Sequence, residues 1–232
     1  MEPRKSIRFV RTSPLTEETF TEFEERLRKA GYSEKSGVGF LADKLTPQHI
    51  EATYIERKLR KSEIAGPLGN VQRLEWFEFI TYLFMFDRRR RIVEIDSPAR
   101  SLAPLIQQFG ALAGWKSSFE PLILEPAQFL DFLRNGNFKF DVTKLKADDV
   151  TLSINTAASL EVIGQTSILK DLDRLLGPRK RTITSLAIIV TERSKTFRID
   201  VSNAGRIVTE SAAYDDALAL CRKAVDWAQA KK

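Results

Sequence analysis

The sequence predicts an α+β fold with antiparallel sheets and flanking helices, and three observations support it. Short runs alternate apolar and polar residues, as in Ile7-Arg-Phe-Val-Arg and residues 138–143, which is typical of half-buried strands. Other segments space apolar residues three or four apart, as in Phe20, Phe23 and Leu27, and these predict amphipathic helices. The chain has 232 residues, 43% of them hydrophobic and 15 of them Phe, which is enough to form a core.

The first elements are a strand, a helix and a second, shorter strand. The strand at Ile7 is followed by Thr16, with acidic residues in the next two positions, where the helix dipole favours them. Gly31 follows the apolar stripe and predicts the end of this helix. Residues 38–42 then predict a short strand.

Residues 50–64 carry two conflicting signals. The pair Thr46-Pro47 resembles a helix start, with an N-cap followed by proline, and would begin a helix running through residue 61. However, Ile50, Ala52 and Tyr54 alternate with polar residues in a β-rich segment. We therefore predict a strand over 50–64 and keep the helix as the alternative.

The next segment predicts a long hairpin. A turn at Pro67 precedes a strand from Leu74 to Phe86, which has apolar residues on both faces and is therefore expected to be buried on both sides. Four arginines, Arg88–Arg91, form the predicted tip of the hairpin that returns toward Asp96. Ser97 followed by a proline predicts the start of the next helix, which runs to Leu112.

The rest of the chain also predicts a series of strands and helices. Strands are predicted at 119–124, 138–143, 150–154, 160–163, 182–192, 196–201 and 206–210. Helices are predicted at 126–134, from Ser167 to Leu176, and from Asp215 onward.

The element order predicts two packed α+β halves, an N-terminal half over residues 1–115 and a C-terminal half over 116–232. Residues 7–113 and residues 138–229 each run strand, helix, antiparallel strands, helix, and each stretch has a last hairpin ending in Arg-Ile-Val, at Arg91 and at Arg206. This order makes a duplicated unit one hypothesis. Two unrelated halves, or a single mixed sheet, are the alternatives.

The scarcity of two residue types excludes several mechanisms. The chain has one cysteine, Cys221, and one histidine, His49, so it cannot form an intramolecular disulfide, a structural zinc site or an iron–sulfur cluster. Cys221 falls on the apolar stripe of the last helix, and His49 falls at a turn. The glycine-rich phosphate motifs and the G-x-S-x-G motif are also absent, so we predict no catalytic residue and no cofactor.

Carboxylates near two turns leave a magnesium-dependent enzyme as a third hypothesis. Asp87, Glu94 and Asp96 flank the arginine tip, and Glu192 and Asp200 flank a later turn. Their simpler interpretation is that they balance the charge of nearby arginines and lysines.

Basic clusters carry the main functional prediction. The net charge is +6, and the clusters comprise Arg57, Lys58, Arg60, Lys61, then Arg88, Arg89, Arg90, Arg91, then Arg179, Lys180 and Arg181. Such clusters predict a non-catalytic protein that binds the phosphates of DNA or RNA. The aromatic residues of the strand from Leu74 could stack on bases, although burial in a core is the more ordinary role. The alternative is an interaction subunit of a multiprotein assembly, whose clusters meet acidic surfaces of a partner.

The predicted location is cytoplasmic. A single cysteine suits a reducing compartment, and no apolar core follows the first charged residues as it would in a signal peptide. The most apolar stretch, from Phe77 to Phe86, is too short to cross a bilayer and contains Glu78. We therefore expect no membrane partner.

Overall fold

The protein is described by a computed structural model over residues 3–65, 67, 71–96, 101–153, 156–177, 181–192 and 194–231. These residues contain five α-helices and eleven strands, and the strands form an antiparallel sheet, so the fold is mixed α+β as predicted. The chain divides into two compact units, one of residues 9–121 and one of residues 1–8 together with 122–232. Whether the units are duplicates of each other stays a prediction.

The N-terminal unit holds five consecutive strands of the sheet. Its elements are β1 (Arg4–Thr12, from residue 9), α1 (Glu17–Lys29), β2 (Val38–Leu45), β3 (His49–Ala65), β4 (Val71–Asp87), β5 (Ile92–Asp96), α2 (Ala103–Leu112) and β6 (Phe119–Leu122, up to residue 121). The strand order is β2-β3-β4-β5-β1, and β6 also pairs with β1.

The helices of this unit cover one face of its sheet. Phe20 and Phe23 of α1 meet the ring of Phe86 edge-on, at 5.4 and 5.6 Å between ring centroids. Phe109 of α2 meets Phe84 at 4.9 Å. Edge-to-face packing of this kind suits the aromatic quadrupole, and all five side chains are buried.

The prediction of a strand over 50–64 is confirmed, and the helix alternative is wrong. The Thr46-Pro47 signal is used by the β2–β3 turn, where the Thr46 hydroxyl oxygen accepts a hydrogen bond from the His49 backbone N–H at 3.0 Å. The same side-chain bond that caps a helix can close a turn, so the motif alone does not distinguish the two. The predicted cap at Ser97 lies outside the described residues.

The C-terminal unit continues the antiparallel arrangement. Its elements are the start of β1, then α3 (Pro126–Asn135), β7 (Lys139–Ser153), β8 (Thr156–Ile163), α4 (Leu169–Leu176), β9 (Thr182–Glu192), β10 (Lys195–Ser202), β11 (Ile207–Glu210) and α5 (Tyr214–Ala230). The strand order is β1-β11-β10-β9-β7-β8. The separate strands predicted at 138–143 and 150–154 fall on one long strand, β7, whose pairing shifts register after Ala147. None of the described helices is both long and apolar enough to cross a membrane.

Candidate interaction arm

Strands β3 and β4 extend far beyond their neighbours in the sheet. They pair over their whole length, from His49 opposite Asp87 to Ala65 opposite Val71. β2 pairs with β3 only as far as Glu56, and β5 pairs with β4 only from Leu83. Residues 56–65 and 71–80 therefore form a two-stranded ribbon, here named the arm, about 33 Å long at the rise of a β-strand.

The outer edges of the arm carry no strand among the described residues. Residues 58–65 of β3 and 71–82 of β4 each have a paired strand on one side only. Unpaired backbone N–H and C=O groups on such edges can bond to another chain.

Opposite residues of an antiparallel pair share a face, and the register sorts the arm into an even-numbered and an odd-numbered face. The even-numbered face continues from the buried rings of Tyr54 and Tyr82, which lie in the core. The odd-numbered face, named the open face, continues from Leu83, which is 49% exposed.

The arm exposes large apolar side chains on both faces, so the prediction that this whole strand is buried on both sides is wrong. All residues from Val71 to Phe79 are exposed, and burial of β4 is complete only where α1 and α2 cover it, at Tyr82, Phe84 and Phe86. The seven exposed apolar side chains of the arm are Leu59, Ile64, Val71, Leu74, Trp76, Phe77 and Phe79.

The first predicted basic cluster lies on the arm, where carboxylates balance it. Arg60 Nε lies 2.6 Å from Glu78 Oε2, and Lys61 Nζ lies 2.6 Å from Glu75 Oε1. On the same strand, Lys58 Nζ lies 3.3 Å from Glu56 Oε1. With the further pair of Arg73 and Glu63 at 2.9 Å, the arm has five cationic and four anionic side chains and a net charge of +1.

Arg57 links the arm to the loop before β2. Its Nη2 donates a hydrogen bond of 2.6 Å to the backbone carbonyl of Glu34. Its guanidinium carbon lies 4.5 Å from the centre of the Phe77 ring, within the range of a cation–π contact. The base of the arm is thus fixed by a cation that also covers one of its exposed rings.

At the base of the arm, Tyr54 is buried on the even-numbered face. Burial, together with smaller effects of the neighbouring Glu56 carboxylate and of Tyr82, raises the pKa of its phenol to about 12. This tyrosine is therefore neutral at physiological pH and belongs to the core that anchors the arm.

The second basic cluster forms the β4–β5 turn, and its four arginines have different environments. Arg90 Nη1 lies 3.4 Å from the buried carboxylate of Glu94, and the Arg90 backbone N–H donates to Asp87 Oδ1 at 2.9 Å. Arg88 lies over the ring of Phe20, 5.5 Å from its centre. Arg89 and Arg91 are the exposed members.

The structure separates the first two basic clusters along β4. Arg57 is paired with Phe79, eight residues along β4 from Asp87, so it lies about 26 Å from the turn that holds the second cluster. Of the third cluster, Arg179 and Lys180 lie outside the described residues. Arg181 belongs to the C-terminal unit, where its Nη1 donates to the carbonyl of Gly177 at 3.2 Å.

Cations or backbone donors contact four of the carboxylates considered for magnesium, namely Asp87, Glu94, Glu192 and Asp200. Asp200 accepts from Arg4 and Arg198, and Glu192 accepts from Lys223. Across the part of the chain that the structure describes, no group of three or more His, Cys, Asp or Glu side chains is arranged to hold a metal ion. Cys221 is buried on α5, as its place on the apolar stripe predicts.

The sequence analysis did not identify the aliphatic residues of the arm as part of a site. Leu59, Ile64, Val71 and Leu74 are ordinary strand residues, and only the register with the partner strand reveals that nothing described covers them. The feature that could have indicated an exposed ribbon is strand length. β3 and β4 have 17 residues each, whereas their neighbours β5 and β2 have five and eight. Neither a protein-family model nor a curated protein matches this chain.

Proposed function

We propose that this chain is a protein-interaction subunit that binds a protein partner through the arm. The observation that carries the proposal is the set of seven exposed apolar side chains on a ribbon with open edges. Exposed apolar side chains concentrated on one element in this way mark interaction sites.

The composition of the arm supports a protein partner over a nucleic acid. Four of the seven exposed apolar side chains are aliphatic, and aliphatic groups have no ring on which a base could stack. Each cation of the first basic cluster also has a carboxylate, backbone oxygen or ring partner already. The arm combines aromatic and aliphatic side chains with a nearby arginine. This composition is typical of the centre of a protein interface.

The open edges supply a mode of binding as well as a surface. An extended segment of a partner could add to the edge of β4 over residues 71–82, where main-chain hydrogen bonds would provide affinity. Side chains such as Trp76 and Phe77 would then provide specificity, one on each face.

Site-specific photocrosslinking in the native cell tests this function. A photoreactive phenylalanine derivative replaces Phe77, and the matched control replaces Ile163, which is 69% exposed on β8 and lies off the arm. We expect an adduct at position 77 that protease removes and nuclease does not, and none at position 163. A nuclease-sensitive adduct at position 77, or equal protein adducts at both positions, would contradict the proposal.

Nucleic-acid binding is the second candidate, and the β4–β5 turn is the feature that favours it. Arg89 and Arg91 are exposed there, and no carboxylate contact is described for either side chain in this part of the chain. Arginines at an exposed turn suit the phosphate backbone. This candidate uses a surface separate from the arm, so the two functions can be tested independently.

A further inference from the structure

We infer that the occupant of the open face is a second copy of this chain, bound arm to arm about a two-fold axis parallel to the strands. This inference rests on the proposed function, because it names the partner of the same arm. The open face contains Leu59, Phe77 and Phe79 on the arm, with Leu83 at its base, all close to half exposed. Leu59 lies opposite Phe77, Phe79 is the next residue of β4 on this face, and Leu83 lies four residues beyond Phe79.

The charges of the arm make it complementary to itself. On the open face, β3 carries Arg57, Lys61 and Glu63, and β4 carries Arg73 and Glu75. Across the two strands, Lys61 lies opposite Glu75 and Glu63 lies opposite Arg73. A closed homodimer requires a patch that matches its own copy. These two cross-strand pairs of opposite charge meet that requirement when each strand lies over the other strand of the second copy.

A two-fold axis parallel to the strands produces this arrangement. Rotation about this axis leaves each residue at the same position along the strand direction and places β3 of one copy over β4 of the other. Each residue of one copy therefore faces the residue of the second copy that has the same number as its cross-strand partner. Leu59 of one copy then faces Phe77 of the other, and Lys61 faces Glu75. The ion pair of Lys61 and Glu75 within each copy becomes a four-charge group shared between copies.

The area of the open face indicates the strength of the dimer. Four side chains that are each about half exposed offer on the order of 400 Å² of apolar surface per copy. Stable specific interfaces bury roughly 800 Å² per partner, so flanking polar side chains must supply the rest. We therefore expect a reversible dimer with a Kd on the order of 1–100 μM.

Sedimentation of the full chain over a micromolar concentration series tests the inference. We expect a reversible monomer–dimer equilibrium for the wild type and a monomer for Phe77→Glu, which places two carboxylates at the dimer centre. The matched control is Gln72→Glu, which adds the same charge to the even-numbered face of the same strand, and we expect it to dimerise as the wild type does. Far-UV circular dichroism establishes that both variants are folded.

Charge reversal provides a second, independent test of the geometry. Lys61→Glu places like charges against Glu75 both within and between copies, so we expect weaker dimerisation. Combining it with Glu75→Lys restores both contacts under the proposed axis and should restore the dimer. Failure of the double reversal to recover what the single change loses would overturn this arrangement.

Three outcomes would overturn the dimer on the open face. They are a wild type that stays monomeric throughout the series, a Phe77→Glu variant that still dimerises, and a Gln72→Glu variant that is as monomeric as Phe77→Glu. A monomeric wild type that still gives a protease-sensitive adduct at Phe77 to a different protein would remove the second copy as partner and leave the interaction function standing. A monomer with no protein adduct would remove both.

Discussion

The guanidinium carbon of Arg57 lies 4.5 Å from the centre of the Phe77 ring, and the same guanidinium donates to the carbonyl of Glu34. One side chain therefore joins an exposed ring of the arm to the loop that precedes β2. In the sequence Arg57 belongs to a basic cluster, but in the structure its side chain holds the base of the arm against the loop before β2.

Replacing Arg57 should make the base of the arm more mobile without unfolding the protein. Because an exposed cation–π contact contributes about 0.5–1 kcal/mol, Arg57→Ala should change global stability little. Backbone amides near Arg57 and Phe77 should exchange faster with deuterated water, as measured by mass spectrometry. Arg73→Ala, farther along the same arm, is the control, and equal exchange in wild type and Arg57→Ala would contradict the assigned role.

The contrast between the exposed and buried parts of β4 predicts opposite stability effects on one strand. Phe77→Ala should change the free energy of unfolding by no more than about 1 kcal/mol, because the side chain is exposed and loses only its cation–π contact with Arg57. Phe84→Ala should lower the free energy of unfolding by roughly 3–5 kcal/mol, because Phe84 is 2% exposed and packs against Phe109. Urea unfolding measures both, and a large loss at Phe77 would show that the arm is part of a core.

The ion pair at the β4–β5 turn should matter more than its exposed neighbours. Arg90→Ala would leave the buried carboxylate of Glu94 without its arginine, and we expect a loss of roughly 1–3 kcal/mol in the free energy of unfolding. Arg89→Ala at the exposed position should change it by less than about 0.5 kcal/mol. Equal effects of the two changes would contradict the difference in environment.

Tyr54 predicts a loss of stability in alkaline solution. Its folded pKa of about 12 lies above the ordinary value of 10.0, so the folded state resists ionisation. Below pH 10 the phenol is neutral in both states and its contribution is fully present; as the pH rises toward 12, the unfolded state ionises first and stability falls. Tyr54→Phe should show a shallower fall in the urea midpoint over this interval, and an unchanged slope would contradict the assignment.

Phosphate binding at the β4–β5 turn predicts a defined salt dependence. If Arg89 and Arg91 each contact a phosphate, changing both to Ser should make the negative slope of log K against log salt shallower by about 1.5. Fluorescence anisotropy with labelled single-stranded and double-stranded DNA and RNA measures the slope. An unchanged affinity and slope in the folded double variant would remove this turn as a nucleic-acid site.

Local sequence patterns predicted most of the strands and helices because alternation and caps are local signals. The strand β3 followed from the alternation at Ile50, Ala52 and Tyr54, and the stripe of Phe20, Phe23 and Leu27 predicted the face of α1 that is buried. The exposure of the arm could not be predicted in this way. Apolar residues on both faces of β4 indicate burial, but burial depends on how far the helices reach along the strand, which is a tertiary property.

The neutralisation of the first basic cluster also required the tertiary register. Arg60 and Glu78 are 18 residues apart, and they meet only because β3 and β4 pair with Lys58 opposite Glu78. A shift of register would place different charges across the ribbon. For this reason, the clusters could be located from sequence, whereas their pairing with carboxylates could not.

Removing the arm tests the central claim most directly. Residues 58–78 are replaced by an Asn-Gly turn that joins Arg57 to Phe79, which are already opposite each other in the hairpin. The measurement is the native mass of the protein isolated from its own cells at its natural level. We predict that the full chain occurs in an assembly heavier than its 26.4 kDa monomer and that the folded arm-deleted chain occurs as a monomer. An arm-deleted chain that stays in an assembly with the same partners would contradict the account.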